Sequence, residues 1–138
     1  MKIVVDTNVI FSGIFFKGVP SKIIENIFLK KYQIVLSKEI VDEYIKVIER
    51  YCKKKKVPDF TVPLEIIDLL ISHSIFIDSS AVITPYCADP DDIKFLEAAM
   101  ASKAKYLISG DKHLLNVGEY PGGLVLRPQD FISLTTGS

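Results

Sequence analysis

The amino-acid sequence predicts an α/β fold with a mainly parallel sheet. Short β-branched runs, each the length of one buried strand, alternate with longer segments whose apolar residues repeat at helical spacing. Polar residues directly follow several of the strand-like runs. Strands that alternate with helices favour a parallel sheet, because each connection between neighbouring parallel strands needs a crossover of helical length.

The predicted elements follow one another along the whole chain. Three runs predict buried strands at 3–5, 33–37 and 105–111, and helical patterns lie at 21–29, 38–51, 64–71 and 93–103. Two further runs, 74–78 and 123–127, predict strands, the second as a sheet edge before Pro128. The segment 53–63 carries four lysines and two prolines and therefore predicts a surface connection between two helices.

Length and composition limit the class of protein. The 138 residues suffice for one domain, which we place at 1–133, with a frayed tail at 134–138. No segment approaches the roughly 18 uninterrupted apolar residues of a membrane span, and the first residues lack the apolar run of a secretory signal. Cys52 and Cys87 have no metal-ligand spacing. We therefore expect a cytoplasmic protein that does not enter a membrane.

The charge pattern excludes a protein that coats nucleic acid through overall basicity, because the formal net charge is zero. Charge is uneven along the chain, however. Residues 53–56 form a basic run, which a solvated helix end explains without any function, and an acidic group lies at 89–92.

Acidic residues follow the predicted strands or begin the predicted helices. Asp6 follows the first strand and Asp111 ends the third, and the carboxyl ends of parallel strands are where active-site groups collect. Ser37 suits the N-cap of the helix at 38–51. At 100° per residue, Glu43 lies at the border of that helix's apolar arc, beside Val47. On position alone, an exposed boundary glutamate is the simpler interpretation of Glu43.

The segment Asp89-Pro90-Asp91-Asp92 begins the next helix. Asp89 suits the N-cap and Pro90 the first helical position, while acidic residues in the first turn favour the helix dipole. Helix capping therefore explains the acidic residues about as well as a site does, and Asp89 and Asp91 compete with Asp92 for any functional role. Carboxylates directed to one rim repel each other unless a cation binds between them. Oxygen ligands alone suit Mg²⁺ or Mn²⁺ rather than zinc.

Four segments together resemble the PIN-domain family, and more closely the toxin components of toxin-antitoxin systems related to VapC. They are Val4 to Val9, the spacing from Leu36-Ser37 to Glu43, Asp89 to Leu96, and Leu107 to Lys112. The similarity extends from Lys2 to about Phe131 in the family's order. Position 93 departs from the common pattern, because Ile93 stands where an acidic or amide residue often follows the third carboxylate.

The resemblance implies a three-layer α/β/α fold and a ribonuclease that uses Mg²⁺ or Mn²⁺. Carried over to this sequence, the catalytic and metal-binding residues would be Asp6, Glu43, Asp92 and Asp111. Asn8, Ser12, Ser109 and Asp89 would support them from behind, and Lys112 would contact the RNA backbone. The resemblance also implies single-stranded RNA as substrate, an antitoxin protein as partner and a homodimer.

Two other functions compete with this interpretation. An aspartyl phosphatase also places an Asp after the first strand of an α/β sheet, but that chemistry usually wants a second Asp two residues later, where this chain has Asn8. A catalytically inert RNA-binding or interaction module is the other alternative. The retention of all four acidic positions argues against it.

Overall fold

The computed structural model describes residues 1–57, 59–78 and 90–136. The strands in these ranges are β1 (Lys2–Val5), β2 (Gln33–Leu36), β3 (Ile75–Phe76), β4 (Tyr106–Ile108), β5 (Glu119–Tyr120) and β6 (Gly123–Leu126). The helices are α1 (Thr7–Phe15), α2 (Val19–Phe28), α3 (Lys38–Lys54), α4 (Thr61–Ser72), α5 (Pro90–Ser102), α6 (Lys112–Val117) and α7 (Pro128–Thr135). Asp89 and Cys87 lie outside the described residues, so the predicted cap at Asp89 stays a prediction.

The strands form one sheet in the order β3-β2-β1-β4-β6-β5. All neighbours in it are parallel except β5 and β6, which pair antiparallel. Strand β1 is central, and its residues Ile3, Val4 and Val5 are fully buried because helices flank the sheet. The predicted α/β fold with a mainly parallel sheet is therefore confirmed. None of the helices in the described ranges is long and apolar enough to cross a membrane.

The prediction that 123–127 forms a sheet edge was wrong. Strand β6 is an inner strand, because β5 turns back at Gly122 (φ 100°) and pairs along its outer side. The Tyr120 hydroxyl donates to the backbone oxygen of Ala104 at 2.7 Å and so ties β5 to the start of β4. The two residues of β5 stand between Gly118 and Pro121 without an apolar run that could have indicated a strand.

Helices cover more of the chain than the sequence patterns indicated. Helix α3 continues to Lys54 and α4 already begins at Thr61, so the connection between them is shorter than the predicted segment 53–63. Helices α1, α6 and α7 were not predicted. Helix α7 includes Leu134 and Thr135, which the sequence analysis assigned to the tail, and residues 137–138 lie outside the described ranges.

Two helices on the carboxyl side of the sheet, α1 and α3, begin at side-chain caps. The carboxylate of Asp6 accepts a hydrogen bond from the Thr7 backbone N–H at 2.7 Å and caps α1. The Ser37 hydroxyl accepts from the Ile40 N–H at 3.3 Å and caps α3, as predicted. Helix α5 begins with Pro90, whose fixed φ suits a first helical position. Strand ends and helix starts therefore meet at one edge of the sheet.

Three helices end at a lysine in the left-handed conformation. Lys30, Lys56 and Lys103 have φ values of 62°, 54° and 56°. In each case the next N–H donates to the carbonyl five residues earlier, at 2.8–3.0 Å, as in a Schellman motif. Helices α2 and α5 thus stop in the same way just before β2 and β4, so both strands start beside a lysine.

Candidate functional site

A cleft of about 270 Å³ lies at the carboxyl ends of the central strands. Its walls are formed by Asp6, Thr7, Asn8, Glu43, Val47, Asp91, Asp92 and Asp111. The cleft therefore brings together all four carboxylates that the sequence suggested as catalytic. They come from four separate segments: Asp6 follows β1, Glu43 lies on α3, Asp92 in the first turn of α5, and Asp111 just before α6.

Asp6 lies at the bottom of this cleft with only 6% of its surface exposed. Its Oδ1 accepts from the Thr7 N–H and its Oδ2 from the Ser109 hydroxyl, each at 2.7 Å. Burial raises the pKa of the Asp6 carboxyl above its ordinary value, and the negative charges of Glu43 and Asp111 raise it further. The hydrogen bonds from Ser109 and Thr7 oppose this rise without overcoming it. A cation beside Asp6 would relieve the cost of its charge.

Ser109 connects two of the carboxylate positions. While its hydroxyl donates to Asp6, the same oxygen accepts from the backbone N–H of Asp111 at 2.9 Å. Ser109 is fully buried directly after β4, so the pairing of β1 with β4 fixes its distance from Asp6. Among the other residues suggested as supporting groups, Asn8 forms part of the cleft wall, whereas Ser12 on α1 does not.

Glu43 is held by two partners at once. Its Oε1 lies 2.5 Å from the ammonium of Lys94, and its Oε2 accepts a hydrogen bond from the Thr7 hydroxyl. Lys94 also donates to the backbone oxygen of Asp91 at 3.0 Å. The Glu43 and Lys94 side chains are 24% and 20% exposed, so water screens this ion pair only partly. The ammonium of Lys94 thus provides the positive charge nearest to Glu43.

Tyr44 supports the cleft from below. Its side chain is almost completely buried, and its hydroxyl donates to the backbone oxygen of Val5 at 2.5 Å, one residue before Asp6. Burial raises the pKa of Tyr44 well above its ordinary value, and the charges of Asp6 and Glu43 add to the rise. Tyr44 therefore stays a neutral hydrogen-bond donor that ties α3 to the end of β1.

Asp91 and Asp92 both form part of the cleft wall, but they differ in burial. Asp92 is 8% exposed and Asp91 is exposed. Asp92 faces inwards from α5, beside the contact of that helix with the sheet. The structure thus places both Asp91 and Asp92 at the cleft, while Asp89 lies outside the described residues, so the choice among them stays a prediction.

The donor chemistry of the cleft fits a hard divalent cation, because carboxylate oxygens surround a buried acid whose charge is poorly compensated. The side chains do not yet converge on one point. In the described ranges, no group of three or more His, Cys, Asp or Glu residues is arranged to hold a metal ion. The Lys94 contact to Glu43 explains part of this, since it would have to loosen for the Glu43 Oε1 to turn towards a metal, while the Thr7 hydroxyl holds the Oε2.

The sequence analysis missed two members of the site, and the predicted RNA contact at Lys112 stays a prediction. Thr7 and Lys94 both contact Glu43, and Lys94 follows Asp91 at the i,i+3 spacing that puts two residues on one helix face. That spacing is the only signal in the sequence that could have suggested Lys94. Lys112 is exposed at the start of α6 and does not form part of the cleft wall.

Comparison with known proteins relates this chain to a domain family, to a curated protein and to a solved structure. The family described as PIN domain matches residues 2–113. An uncharacterized protein of Methanocaldococcus jannaschii is 33% identical over 119 residues, which cover 85% of this chain and 75% of that protein. A chain in the crystal structure of VapBC2 from Rickettsia felis, bound to a DNA fragment from their promoter, superposes with a TM-score of 0.60 over 92% of this chain and 98% of that chain. At 15% identity, this last likeness shows a shared fold.

Proposed function

The chain belongs to the PIN domain family, and from this premise we propose that it is a metal-dependent ribonuclease that hydrolyses phosphodiester bonds in single-stranded RNA. The observation that carries the proposal is the cleft itself, where Asp6, Glu43, Asp92 and Asp111 lie together although they are far apart in sequence. Helix capping accounts for one carboxylate at a helix start, but it does not account for four in one cleft.

Asp6, Asp92 and Asp111 would hold Mg²⁺ or Mn²⁺, and Glu43 would bind beside them. When bound, the cation neutralises charge on the phosphate, lowers the pKa of the attacking water and stabilises the leaving oxygen. Ser109 orients Asp6 and, through its bond to the Asp111 N–H, keeps the two carboxylates in a fixed relation. Tyr44 holds the end of β1 in place beneath them.

Glu43 is the residue best suited to act on the attacking water. It lies half-buried at the border of α3, and the Thr7 hydroxyl fixes one of its oxygens. The other oxygen of Glu43 can accept a proton from the attacking water while the water oxygen bonds to phosphorus. The departing alkoxide then takes a proton from solvent. This role requires Glu43 to leave its ion pair with Lys94.

The test is a cleavage assay on single-stranded RNA with purified protein in Mn²⁺ or Mg²⁺. We expect cleavage that EDTA abolishes and that Asp6→Asn lowers by more than about a hundredfold, because even residues behind a metal ligand cost 10- to 100-fold when they are replaced. Asp68→Asn removes an exposed carboxylate on α4 and should leave cleavage unchanged. Undiminished cleavage by an Asp6→Asn, Asp92→Asn double variant would overturn the site assignment.

The cleavage assay and a labelling experiment with a phosphate analogue separate the alternatives. An inert module would bind RNA without cutting it in either metal. An aspartyl phosphatase would be labelled at Asp6 by a phosphate analogue, and the Asn at position 8 argues against that chemistry.

We further propose that the chain acts as the toxin of a toxin-antitoxin pair and forms a homodimer. The shared fold with a chain of the VapBC2 complex supports the first point. Affinity purification from the native host should then recover one small protein that blocks RNA cleavage. Recovery of an active nuclease without such an inhibitor would favour a role in RNA processing.

A further inference from the structure

Five lysines lie together at the amino ends of the three central strands β2, β1 and β4. This amino edge of the sheet is opposite the cleft, which lies at the carboxyl ends of the strands. These amino-edge lysines are Lys2, Lys30, Lys31, Lys103 and Lys105. The order β2-β1-β4 and the strand register bring them side by side. The Lys105 N–H donates to the Lys2 oxygen at 3.0 Å, and the Gln33 N–H donates to the Met1 oxygen at 2.8 Å, so neighbouring strands start about 4.8 Å apart.

The positive charges at this edge are not held in ion pairs by the described acidic residues. Among the described residues, none of the amino-edge lysines forms an ion pair. The Lys2 ammonium donates to the Ser102 oxygen at 3.1 Å, and the Lys105 ammonium lies over the Tyr106 ring, 5.6 Å from its centroid. Lys30, Lys31, Lys103 and Lys105 are exposed. Like charges on adjacent strands repel each other, so an anion bound here would be stabilising.

Two adjoining cavities, of about 760 Å³ and 510 Å³, open at this edge and share Met1, Lys31 and Tyr32. Both are larger than the cleft at the other edge. Lys105 forms part of the first and Lys30 part of the second, and neither cavity wall includes an Asp or Glu of the described residues. Exposed apolar surface of Met1 (45%) and Leu134 (57%) lies beside the lysines of the first cavity.

The acidic cleft does not neutralise the amino-edge lysines. Strand β1 separates Lys2 from Asp6 by four residues, or about 13 Å of backbone. This exceeds the Debye length of about 8 Å at physiological ionic strength. A chain with no net charge therefore carries an acidic and a basic region at opposite ends of its central strands.

We propose that the amino-edge lysines form a second binding surface for the phosphodiester backbone of single-stranded RNA, separate from the cleft. Ammonium groups only donate hydrogen bonds, so the occupant must be anionic and rich in acceptors. A row of cations across three strands suits a linear polyanion, and the apolar surface of Met1 and Leu134 suits unpaired bases. This inference rests on the proposed function, because it assigns the surface to RNA that extends beyond the cleaved bond.

The test measures RNA binding without cleavage. A labelled single-stranded RNA is titrated in EDTA with three proteins. They are wild type, the double variant Lys31→Gln with Lys105→Gln, and the control double variant Lys22→Gln with Lys38→Gln. The control removes the same charge from exposed lysines that are paired with Glu25 and Asp42. We expect the first double variant to bind the RNA about tenfold more weakly at 0.1 M salt. The slope of log Kd against log salt concentration should fall by about 1.4, since each of the two lost phosphate contacts on a single strand contributes about 0.7. The control should match wild type.

Equal loss in both double variants, or no loss in the first, would overturn the inference. So would stronger competition by polyglutamate than by unlabelled RNA, which would indicate an acidic protein as the ligand.

Cleavage of a dinucleotide should be the same in the first double variant as in wild type. If wild type cleaves but the two double variants bind RNA alike, the inference fails and the proposed function stands. If wild type binds as expected but never cleaves, the proposed function fails.

Discussion

Asp6 has two roles in the molecule, because its side chain caps α1 and also forms the floor of the cleft. Capping needs only an oxygen that accepts from the Thr7 N–H, which an amide provides as well as a carboxylate. The negative charge of Asp6 is therefore not required to cap α1, and an amide NH2 in place of the second oxygen would donate to the Ser109 hydroxyl instead of accepting from it. Its burial beside two other carboxylates makes that charge unfavourable in the absence of a cation.

We expect Asp6→Asn to increase the free energy of unfolding of the metal-free protein at neutral pH. The pKa of Asp6 is raised in the folded protein, so its ionised form destabilises the fold at every pH above that raised value. The difference between variant and wild type should shrink as the pH falls through the raised value and vanish below the ordinary value of 3.8, where the carboxyl is protonated in both the folded and the unfolded state. Urea unfolding in EDTA across this pH range measures it, and a less stable variant at neutral pH would contradict the prediction.

Lys94 should weaken metal binding through its ion pair with Glu43. We expect Lys94→Met to tighten the binding of Mn²⁺ by about tenfold, since one charge 4 Å away in an effective dielectric of about 20 is worth about 4 kcal/mol and the pair is partly screened. Titration calorimetry measures the change. Lys112→Met removes a charge near Asp111 but outside the cleft wall, and an equal effect there would indicate general electrostatics instead of this pair.

At this scale the sequence could predict those side chains that depend on local structure alone. Asp6 and Asp111 follow strands, and the helical spacing placed Glu43 beside Val47, where the structure has it. Lys94 could not be predicted as a partner of Glu43, because their contact depends on how α3 packs against α5.

At the scale of elements, the left-handed lysines show that helix ends here are set by backbone hydrogen bonds more than by residue preference. Gly is the usual residue at this position, since a side chain costs about 1–2 kcal/mol in the left-handed conformation. Lys30, Lys56 and Lys103 all bear that cost. Two of them belong to the amino-edge lysines, whereas Lys56 does not.

We expect Lys56→Gly to stabilise the protein by about 1 kcal/mol, because glycine relieves the left-handed backbone at the end of α3. The matched control is Lys55→Gly at the preceding position, where φ is −87° and glycine only adds freedom to the unfolded chain. That control should destabilise. Chemical unfolding of both variants measures the difference, and two changes of the same sign would contradict the explanation.

The sequence predicted the elements that carry a clear apolar pattern and missed those that do not. Helix α3 and strands β1, β2 and β4 carry clear periodic patterns. Strand β5 has two residues, and its pairing with β6 depends on a glycine turn and on the Tyr120 bond to Ala104, neither of which has a periodic pattern. Helix α1 begins at Thr7, directly after the predicted strand at 3–5, with Asp6 as its N-cap.

At the scale of the whole molecule, the equal numbers of acidic and basic residues hide a separation of charge. Acids gather at the carboxyl edge of the sheet and lysines at the amino edge. Composition alone could not predict this, since it depends on the strand order and on which strands are parallel. The resemblance to the PIN-domain family supplied the fold, but it did not indicate the amino edge.

The central position of β1 has a consequence for motion. Its backbone amides are bonded on both sides, to β2 and to β4, and the Asp6 N–H donates to the Ile108 oxygen at 2.9 Å. Such amides become accessible to solvent only when the whole domain unfolds, whereas peripheral helices open locally at lower cost.

In native-state hydrogen exchange we expect residues 3–6 to exchange slowest and the last turn of α7 fastest. Early exchange at residues 3–6 would contradict this. A nuclease built this way keeps its first carboxylate fixed even while its outer helices fluctuate.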